Sequence, residues 1–428
     1  MDAGDRTAGV RMRELRVGYV YDNLPIRRNV LGAAPYCHYV HIGDWYRSLA
    51  RAGRLLNRCA GRELLDVHDL AHQFHERRAR PAVDLLHLFN QVSYGALPWI
   101  SSYETVLPAL RPLLDRHHGA EPSFEHIGSH PKVAHALSAL AAKPCRRLVA
   151  LSQCAADMQR AMLADALPHL PGEREAIARK TVVLPPPQAR LIGDPAAKPG
   201  NADGRLRLLF VGASFFRKGG VELIETLCAL VRARRVRLEL TIVSNLTLDG
   251  YAAGESAAEQ RRVRAMIESN RAWIRHYDAL DNPAVLQLMR RADVGVLPTY
   301  ADPYGFVVLE FQAAGCPVIS TDVRALPEIN DDSRGWLIGV PKNRLGEALY
   351  TTTAQRERLS RSIREGLARS ITQIAAEPAL VRIKAQRALR TLESRHDPAR
   401  IGERLFDIYI DCAAARPAGS RTSPTISS

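Results

Sequence analysis

Short apolar runs rich in β-branched residues alternate along most of the chain with longer stretches of helical periodicity. The short runs predict strands at 15–21, 84–88, 98–101, 147–151, 206–211, 238–243, 273–277, 294–297 and 317–321. The longer stretches predict helices at 44–56, 221–231, 259–270, 283–291, 306–314, 354–371, 379–395 and 398–412. This alternation is typical of an α/β protein with parallel sheets.

The composition changes to Gly, Pro, Asp and Ala over residues 191–204, which is typical of a linker. We therefore expect a Rossmann-like domain at 1–190 and a second one at 205–390, facing each other across a cleft. We expect residues 391–414 to form a helix that packs back toward the N-terminal domain. The tail at 415–428 is rich in Pro, Ser and Thr, which predicts disorder.

The overall composition excludes several classes of protein. Of the 428 residues 46% are hydrophobic, which excludes disorder for most of the chain, and no run approaches the roughly 18 apolar residues of a spanning helix. The first fourteen residues contain no apolar signal core, so we expect a cytoplasmic protein. The seven cysteines are scattered without a C-x-x-C pair, which argues against a disulfide or zinc framework.

The charge is strongly positive but not diagnostic by itself. Lys and Arg total 59 against 45 Asp and Glu, giving a net charge of +14, and only seven of the 59 are lysine. Aromatic residues are not interleaved with the basic ones as a single-strand binding groove requires, so we expect no nucleic-acid partner. Positive charge without a spanning segment leads us to expect peripheral contact with an anionic membrane.

The segment 292–326 carries the strongest chemical signal. A hydrophobic strand is followed by a polar loop, and Gly305 then opens a helix. The amides of Phe306, Val307 and Val308 should be free there, with the helix dipole behind them, which suits a phosphate.

Two acidic residues accompany this helix: Asp302 precedes it and Glu310 lies in its second turn. A carboxylate at Glu310 would repel phosphate, so hydrogen bonding to sugar hydroxyls suits it better. Asp302 and Glu310 enclose seven residues, and the second begins E-x-x-A-x-G-x-P-V. This pattern resembles the donor-site motif of retaining GT-B glycosyltransferases of family 4, although the family usually has Glu at the first acidic position.

The resemblance implies a role for each matching residue. Glu310 would hold the donor ribose, the loop amides at Gly305, Phe306 and Val307 would hold the diphosphate and sugar, and Asp302 would contact the transferred sugar.

A second strand–loop–helix segment, 208–220, contains Lys218 and Gly219. A fixed cation there would stabilise a departing nucleoside diphosphate, and lysine is rare in this chain. The family pattern is Gly-Arg followed by Lys-Gly. Lys218 and Gly219 match it, whereas Ala213 occupies the arginine position, so we expect the adjacent Arg217 to supply the missing guanidinium.

The N-terminal half offers fewer signals. Glu104 follows the predicted strand at 98–101 and would either contact the acceptor hydroxyl or donor sugar, as a catalytic group, or accept a structural hydrogen bond. The family's paired glycines are missing from the loop at 22–32, to which the sequence assigns no role. His126 and His130 have helical spacing, but Gly128 interrupts the helix and no third ligand is evident, so we expect no metal and no cofactor.

Together these features predict a two-domain GT-B enzyme that transfers a hexosyl group from a nucleotide-diphosphate sugar to a hydroxyl of a glycan or glycolipid, with retention. Such an activity would belong to polysaccharide or glycolipid biosynthesis. Two alternatives remain open on the sequence: a GT-B sugar-nucleotide epimerase, which would need acid and base carboxylates in the N-terminal domain, and a catalytically silent binder of nucleotide sugars or polyanions.

Overall fold

A computed structural model describes residues 14–76, 82–198, 204–248, 250 and 252–414. The tail predicted to be disordered lies outside the described residues. The strands of the N-terminal half are β1 (Leu15–Tyr19), β2 (Cys37–His41), β3 (Gln73–Phe74), β4 (Leu85–Phe89), β5 (Val92–Ser93), β6 (Trp99–Tyr103), β7 (Cys145–Ala150) and β8 (Thr181–Val183). Its helices are α1 (Leu24–Asn29), α2 (Trp45–Ala60), α3 (Val67–Ala71), α4 (Arg111–Leu114), α5 (Pro131–Ala141), α6 (Gln153–Ala166) and α7 (Pro171–Lys180).

The C-terminal half repeats the alternation. Its strands are β9 (Leu206–Val211), β10 (Leu238–Val243), β11 (Ile274–Tyr277), β12 (Val294–Leu297), β13 (Val318–Thr321) and β14 (Trp336–Ile338). Its helices are α8 (Gly220–Arg232), α9 (Ala257–Ser269), α10 (Asn282–Arg291), α11 (Phe306–Ala313), α12 (Leu326–Ile329), α13 (Thr353–Ala376), α14 (Ala379–Arg395) and α15 (Pro398–Ala414).

Each half is organised around a parallel six-stranded sheet. The strand orders are β2-β1-β4-β6-β7-β8 and β11-β10-β9-β12-β13-β14. In the second sheet the order reverses between β9 and β12, and ligands of doubly wound sheets bind at such a switch point, beyond the carboxyl ends of the strands. The predicted α/β fold with two doubly wound domains is confirmed.

The two halves are joined by two neighbouring crossings of the chain. The first runs from β8 toward β9, and the second lies between α14 and α15. They bond to each other: the Gln188 amide donates to the His396 carbonyl at 2.8 Å, and a His396 ring nitrogen lies 2.8 Å from the Pro186 carbonyl.

After the second crossing, α15 packs on the N-terminal sheet. Ile401, Leu405 and Tyr409 share a buried cluster with Val17 and Leu85 of that sheet.

The predicted strands and helices lie within a few residues of those observed, apart from the shortest elements. The predicted strand at 15–21 ends at Tyr19, and the one at 98–101 runs from Trp99 to Tyr103. The sequence analysis did not predict the edge strands β2, β8 and β14. The pattern of β2, Cys-His-Tyr-Val-His, is half exposed and mixed in polarity, and β14 has only three residues.

Candidate active site

The loops after β9 and β12 meet at the switch point of the C-terminal sheet, because glycine allows their backbones to touch. Gly219 has a φ of +75°, and a Cβ there would lie 2.0 Å from the Pro298 carbonyl oxygen. The Tyr300 amide then donates to the Arg217 carbonyl at 2.9 Å. The two segments singled out in the sequence are thus held side by side.

Lys218 and Asp302 form an ion pair across these loops. The Lys218 ammonium lies 2.7 Å from one Asp302 oxygen, and the other Asp302 oxygen accepts the Gly305 amide at 2.7 Å. Burial acts to raise the pKa of Asp302, but the charge and hydrogen bond of Lys218, the charge of Arg217 and the Gly305 amide outweigh it and hold that pKa below its ordinary value. Both members of the pair are therefore charged at neutral pH.

Arg217 lies next to this pair but is committed to the loop. Its guanidinium donates to the Ala301 carbonyl, on the segment that carries Asp302. Its charge therefore adds to the field at Asp302, while its side chain also fixes the path of the β12 loop.

The N-terminus of α11 opens beside Asp302. Gly305 has a φ of +88°, and a Cβ there would lie 2.4 Å from the Leu326 side chain. The Val308 amide donates to the Gly305 carbonyl at 2.8 Å, so the expectation that this amide is free was wrong: the helix begins with a tight turn that uses it. Within the described residues, the Phe306 and Val307 amides have no such partner and remain available.

Glu310 has a partner that the sequence analysis missed. The 22–32 loop folds into α1, and from it Arg28 donates to the Glu310 carboxylate and to the side-chain oxygen of Gln188. The Arg28 guanidinium also lies 4.9 Å from the centre of the Phe306 ring. A basic residue of the N-terminal domain thus reaches the site from the loop in which the resembling family has its paired glycines. The sequence signal that could have indicated this contact is the adjacent pair Arg27 and Arg28 in the 22–32 loop.

Glu104 lies in the N-terminal wall of the cleft and is half-buried. Its carboxylate accepts the Asn90 side-chain amide at 3.0 Å, and its backbone amide donates to the Asn90 side-chain oxygen at 3.2 Å. Burial raises the pKa of Glu104 to about 7, and the negative charge of Asp302 adds to the rise while Arg324 opposes it. Glu104 therefore lies within reach of the charges of Asp302 and Arg324, two residues of the C-terminal domain.

Other polar contacts hold the two walls of the cleft together. The Glu328 carboxylate accepts the amides of Gln153 and Cys154 at 2.9 and 2.6 Å, at the N-terminus of α6. Deeper in the structure, Glu347 of the C-terminal domain bonds to His117 of the N-terminal domain at 2.8 Å.

His117, His118 and Glu347 are close enough together to suggest a metal site. However, Arg324 donates to the same Glu347 carboxylate at 2.8 Å, and its positive charge disfavours a second cation. We therefore assign this cluster a structural role between the domains. Among the described residues, His126 and His130 belong to no group of three metal-ligating side chains.

Comparison with known proteins finds a family similarity in the domain that carries this site. The family model of Glycosyl transferases group 1 matches residues 205–353. Residues 205–353 are thus similar to the glycosyl transferases of this family. The narrower assignment to family 4 is consistent with this match and stays a prediction.

A curated relative supports the same family. The chain is 30% identical over 191 residues to a D-inositol 3-phosphate glycosyltransferase of Arthrobacter sp. strain FB24, covering 42% of this chain and 44% of the relative. The chain thus spans less than half the length of the curated relatives that it matches first.

Solved structures show that the fold extends beyond the matched domain. WaaG, a glycosyltransferase of lipopolysaccharide biosynthesis, superimposes with a TM-score of 0.51 at 17% identity over 92% of this chain and 99% of its own. The Anabaena protein HepE, solved with UDP-glucose, gives a TM-score of 0.51 at 12% identity over 92% of this chain and 98% of its own. The chain has the GT-B fold.

Proposed function

We propose that this protein is a retaining glycosyltransferase that moves a sugar from a nucleotide-diphosphate donor to a hydroxyl of a glycan or glycolipid. The observation that carries this proposal is the Lys218–Asp302 pair beside the open amides of α11, at the switch point of the donor-side sheet. A single short region thus offers a cation and two backbone donors for a diphosphate, together with a carboxylate for a sugar.

In this proposal the donor spans the site from Glu310 to Asp302. Glu310 accepts the ribose hydroxyls, the Phe306 and Val307 amides bind phosphate oxygens, and Asp302 holds a hydroxyl of the transferred sugar. Gly219 keeps the two loops close enough for all of these contacts. The presence of UDP-glucose in HepE, which shares the fold, supports a donor of this class.

Lys218 has the main catalytic role in the proposal. The sugar–phosphate bond breaks with its electron pair leaving on the diphosphate, so negative charge develops next to the ammonium group. Stabilisation that grows with this charge lowers the barrier instead of only tightening binding.

We assign to Arg28 the diphosphate contact that Ala213 lacks. When the ribose engages Glu310, the Arg28 guanidinium loses that partner and lies close to the phosphates bound at Phe306. An arginine from the opposite domain would then compensate for the missing one. In this proposal the charge of Arg217 adds to the positive potential at the diphosphate without a direct contact.

Glu104 is the proposed catalytic contact of the acceptor side. With its pKa near 7 it is divided between the two protonation states at neutral pH, so it can accept or donate a hydrogen bond to the incoming hydroxyl. The resemblance implies that attack and departure occur on one face of the sugar, with the leaving phosphate taking the acceptor proton.

The proposal is tested by screening nucleotide sugars for a thermal shift and then assaying transfer from those that bind. We expect a nucleotide-diphosphate sugar to bind and an added glycan or glycolipid to become glycosylated. A reaction that converts the donor without any acceptor would instead indicate the epimerase. Donor binding without hydrolysis or transfer, even when a cell extract supplies acceptors, would indicate the silent binder. The glycosyltransferase relatives favour the transferase over both.

The cytoplasmic location and the peripheral membrane contact remain predictions. Within the described residues no helix is long and apolar enough to cross a bilayer.

A further inference from the structure

The C-terminal domain contains a large cavity at the edge of its sheet opposite the donor loops. Leu206 at the start of β9, Val236 just before β10 and Asp293 just before β12 all line it. The proposed donor site lies beyond the carboxyl ends of the same parallel strands. The six residues of β9 separate the two edges by roughly 15–20 Å. The cavity is therefore distinct from the site that the proposed function uses.

The inner wall of this cavity is apolar. Helices α13 and α14 meet beside it and contribute Ile374, Val381 and Ala385, and Val236 adds a further apolar side chain. We call the space lined by these four residues the α14 cavity. Its volume is about 670 Å³, which lies within the range of sites that take small organic ligands. A wall of this kind suits an apolar group better than a hydrated ion.

Arginines line the same cavity at its exposed side. Arg235, Arg237 and Arg382 are exposed, and among the described residues no carboxylate forms an ion pair with any of them. By contrast, Arg262 on α9 is paired with Glu225. Like charges gathered around one cavity repel one another, and a bound anion would relieve that repulsion. A guanidinium group also matches the geometry of a carboxylate or a phosphate.

Other charged residues of the α14 cavity already have partners. Asp293 is paired with Arg207 at 2.8 Å. The Lys198 ammonium group donates to the carbonyls of Ala292 and Gly315 at 2.5 and 3.2 Å, so it holds the ends of α10 and α11. The three exposed arginines are therefore the groups that offer an anion its contacts.

We propose that the α14 cavity binds an amphipathic anion, a molecule that joins an apolar chain or ring to a phosphate or carboxylate head. The apolar part packs on Val236 and Val381, and the head pairs with the surrounding guanidinium groups. A free inorganic anion would leave the apolar wall uncovered, and an uncharged apolar molecule would leave the arginines without a partner. This binding does not depend on the proposed transfer reaction.

The experiment is a calorimetric titration of the full chain with four probes, each below the concentration at which it forms micelles. Decyl phosphate and decanoate carry the two head groups on the same chain. Decyltrimethylammonium reverses the charge of the head, and inorganic phosphate lacks the chain. We expect one molecule of decyl phosphate or decanoate to bind per protein chain, the tighter one identifying the preferred head, and both other probes to bind at least tenfold more weakly. Failure of both anions to bind, or equal binding of decyltrimethylammonium, would refute the proposal.

Two variants separate the contributions of charge and apolar contact. Arg235→Gln/Arg382→Gln removes two of the exposed guanidinium groups, and Val381→Asp places a carboxylate in the apolar wall. Each should lower the affinity for decyl phosphate by about tenfold or more. The arginine variant alters only exposed side chains, so we expect it to fold as the wild type does.

Matched controls carry the same changes outside the cavity. Arg261→Gln/Arg264→Gln alters two exposed arginines of α9, and Ile383→Asp alters an exposed apolar residue of α14 itself. Both controls should bind decyl phosphate as the wild type does. Equal losses in the controls and in the cavity variants would show that only net charge or general hydrophobicity acts, and would overturn the proposal.

Hydrogen exchange locates the bound molecule. Saturating decyl phosphate should slow exchange of the amides at 374–385 in the wild type but not in Arg235→Gln/Arg382→Gln. Slower exchange confined to the donor loops at 217–219 and 302–308 would place the probe in the cleft and contradict the proposal. UDP-glucose should not displace decyl phosphate, and displacement would contradict it as well. A failure of UDP-glucose to bind at all would count against the proposed function and leave the test of the α14 cavity intact.

Discussion

At the scale of single residues, the pairing of Lys218 with Asp302 is the feature on which the proposed chemistry depends. The lysine is held in place by a buried carboxylate before any ligand arrives, so little reorganisation is needed when negative charge develops nearby.

Lys218→Ala should lower the turnover number by about 10²–10³, with a smaller effect on donor affinity, because its charge acts mainly on the leaving diphosphate. Arg217→Ala should lower turnover less, since its guanidinium is bonded to the Ala301 carbonyl. Steady-state kinetics at saturating donor measures both. The exposed Lys143→Ala is the control, and a Lys218→Ala enzyme within a few-fold of it would refute the assignment.

Glu310→Gln should weaken donor binding by roughly 1.5–3 kcal/mol, because a charged acceptor for the ribose hydroxyls is lost. Arg28→Gln should also weaken binding if Arg28 turns to the diphosphate. Calorimetric titration gives both values, with the exposed Glu365→Gln as the control. Tighter donor binding by Arg28→Gln would mean instead that Arg28 merely blocks Glu310.

Glu104 should make stability depend on pH. Its folded pKa of about 7 lies above the ordinary value of 4.5, which it takes in an unfolded chain. Between these two values the folded state keeps a proton that the unfolded state loses, so the contribution to stability falls as pH rises from about 4.5 to about 7. Glu104→Gln should therefore raise the melting temperature at pH 8 and change it little at pH 5. Melting curves across this range measure the difference, and a pH-independent difference would contradict the raised pKa.

Much of the donor half of the site was predictable from sequence, since Lys218, Gly305 and Glu310 lie in two local strand–loop–helix motifs. Arg28 was not, because its contact with Glu310 joins residues 282 positions apart and depends on how the two domains face each other. The hydrogen bond from the Val308 amide to the Gly305 carbonyl could not be predicted from the motif either, since it depends on the geometry of the first helical turn.

At the scale of elements, glycines determine how closely the loops approach. Gly219→Ala should destabilise the protein more than Gly61→Ala. Both positions have positive φ, which costs an alanine about 1–2 kcal/mol. At Gly219 the new Cβ would also meet the Pro298 carbonyl, whereas at Gly61 it meets nothing within 4 Å. Urea unfolding compares the two, and equal losses would show that the loops can separate without cost.

The long amphipathic helices and the buried strands were predictable because their periodicity is strong. The edge strand β2 was missed because one side of it faces solvent, and β14 because three residues carry no period. Helix α1 has only six residues, and its start depends on an Asn23 cap whose side chain accepts the Ile26 amide at 3.2 Å. Elements of this size are defined by tertiary contacts more than by their own pattern.

At the scale of the whole molecule, the domains are held by contacts of unequal strength. Glu328→Ala should expose the amides of Gln153 and Cys154 and loosen the cleft, because both lose a charged acceptor. Asp165→Ala, which removes a partly exposed partner of Arg344, should have little effect. Hydrogen exchange at the start of α6 distinguishes the two, and unchanged protection in Glu328→Ala would refute the role of this contact.

The paired crossings between the domains constrain how the cleft can move. Because residues 186–188 and His396 are bonded to each other, the domains share a narrow double strap instead of a single flexible tether. We expect two bonded crossings to allow hinge bending of the domains about the axis that they define, and to oppose sliding and twisting of one domain against the other. Gln188 belongs to this strap and also contacts Arg28, so a ligand that draws Arg28 away from Glu310 pulls at the pivot itself. We therefore expect the angle between the domains to depend on whether a ligand occupies the cleft, through the contact of Gln188 with Arg28.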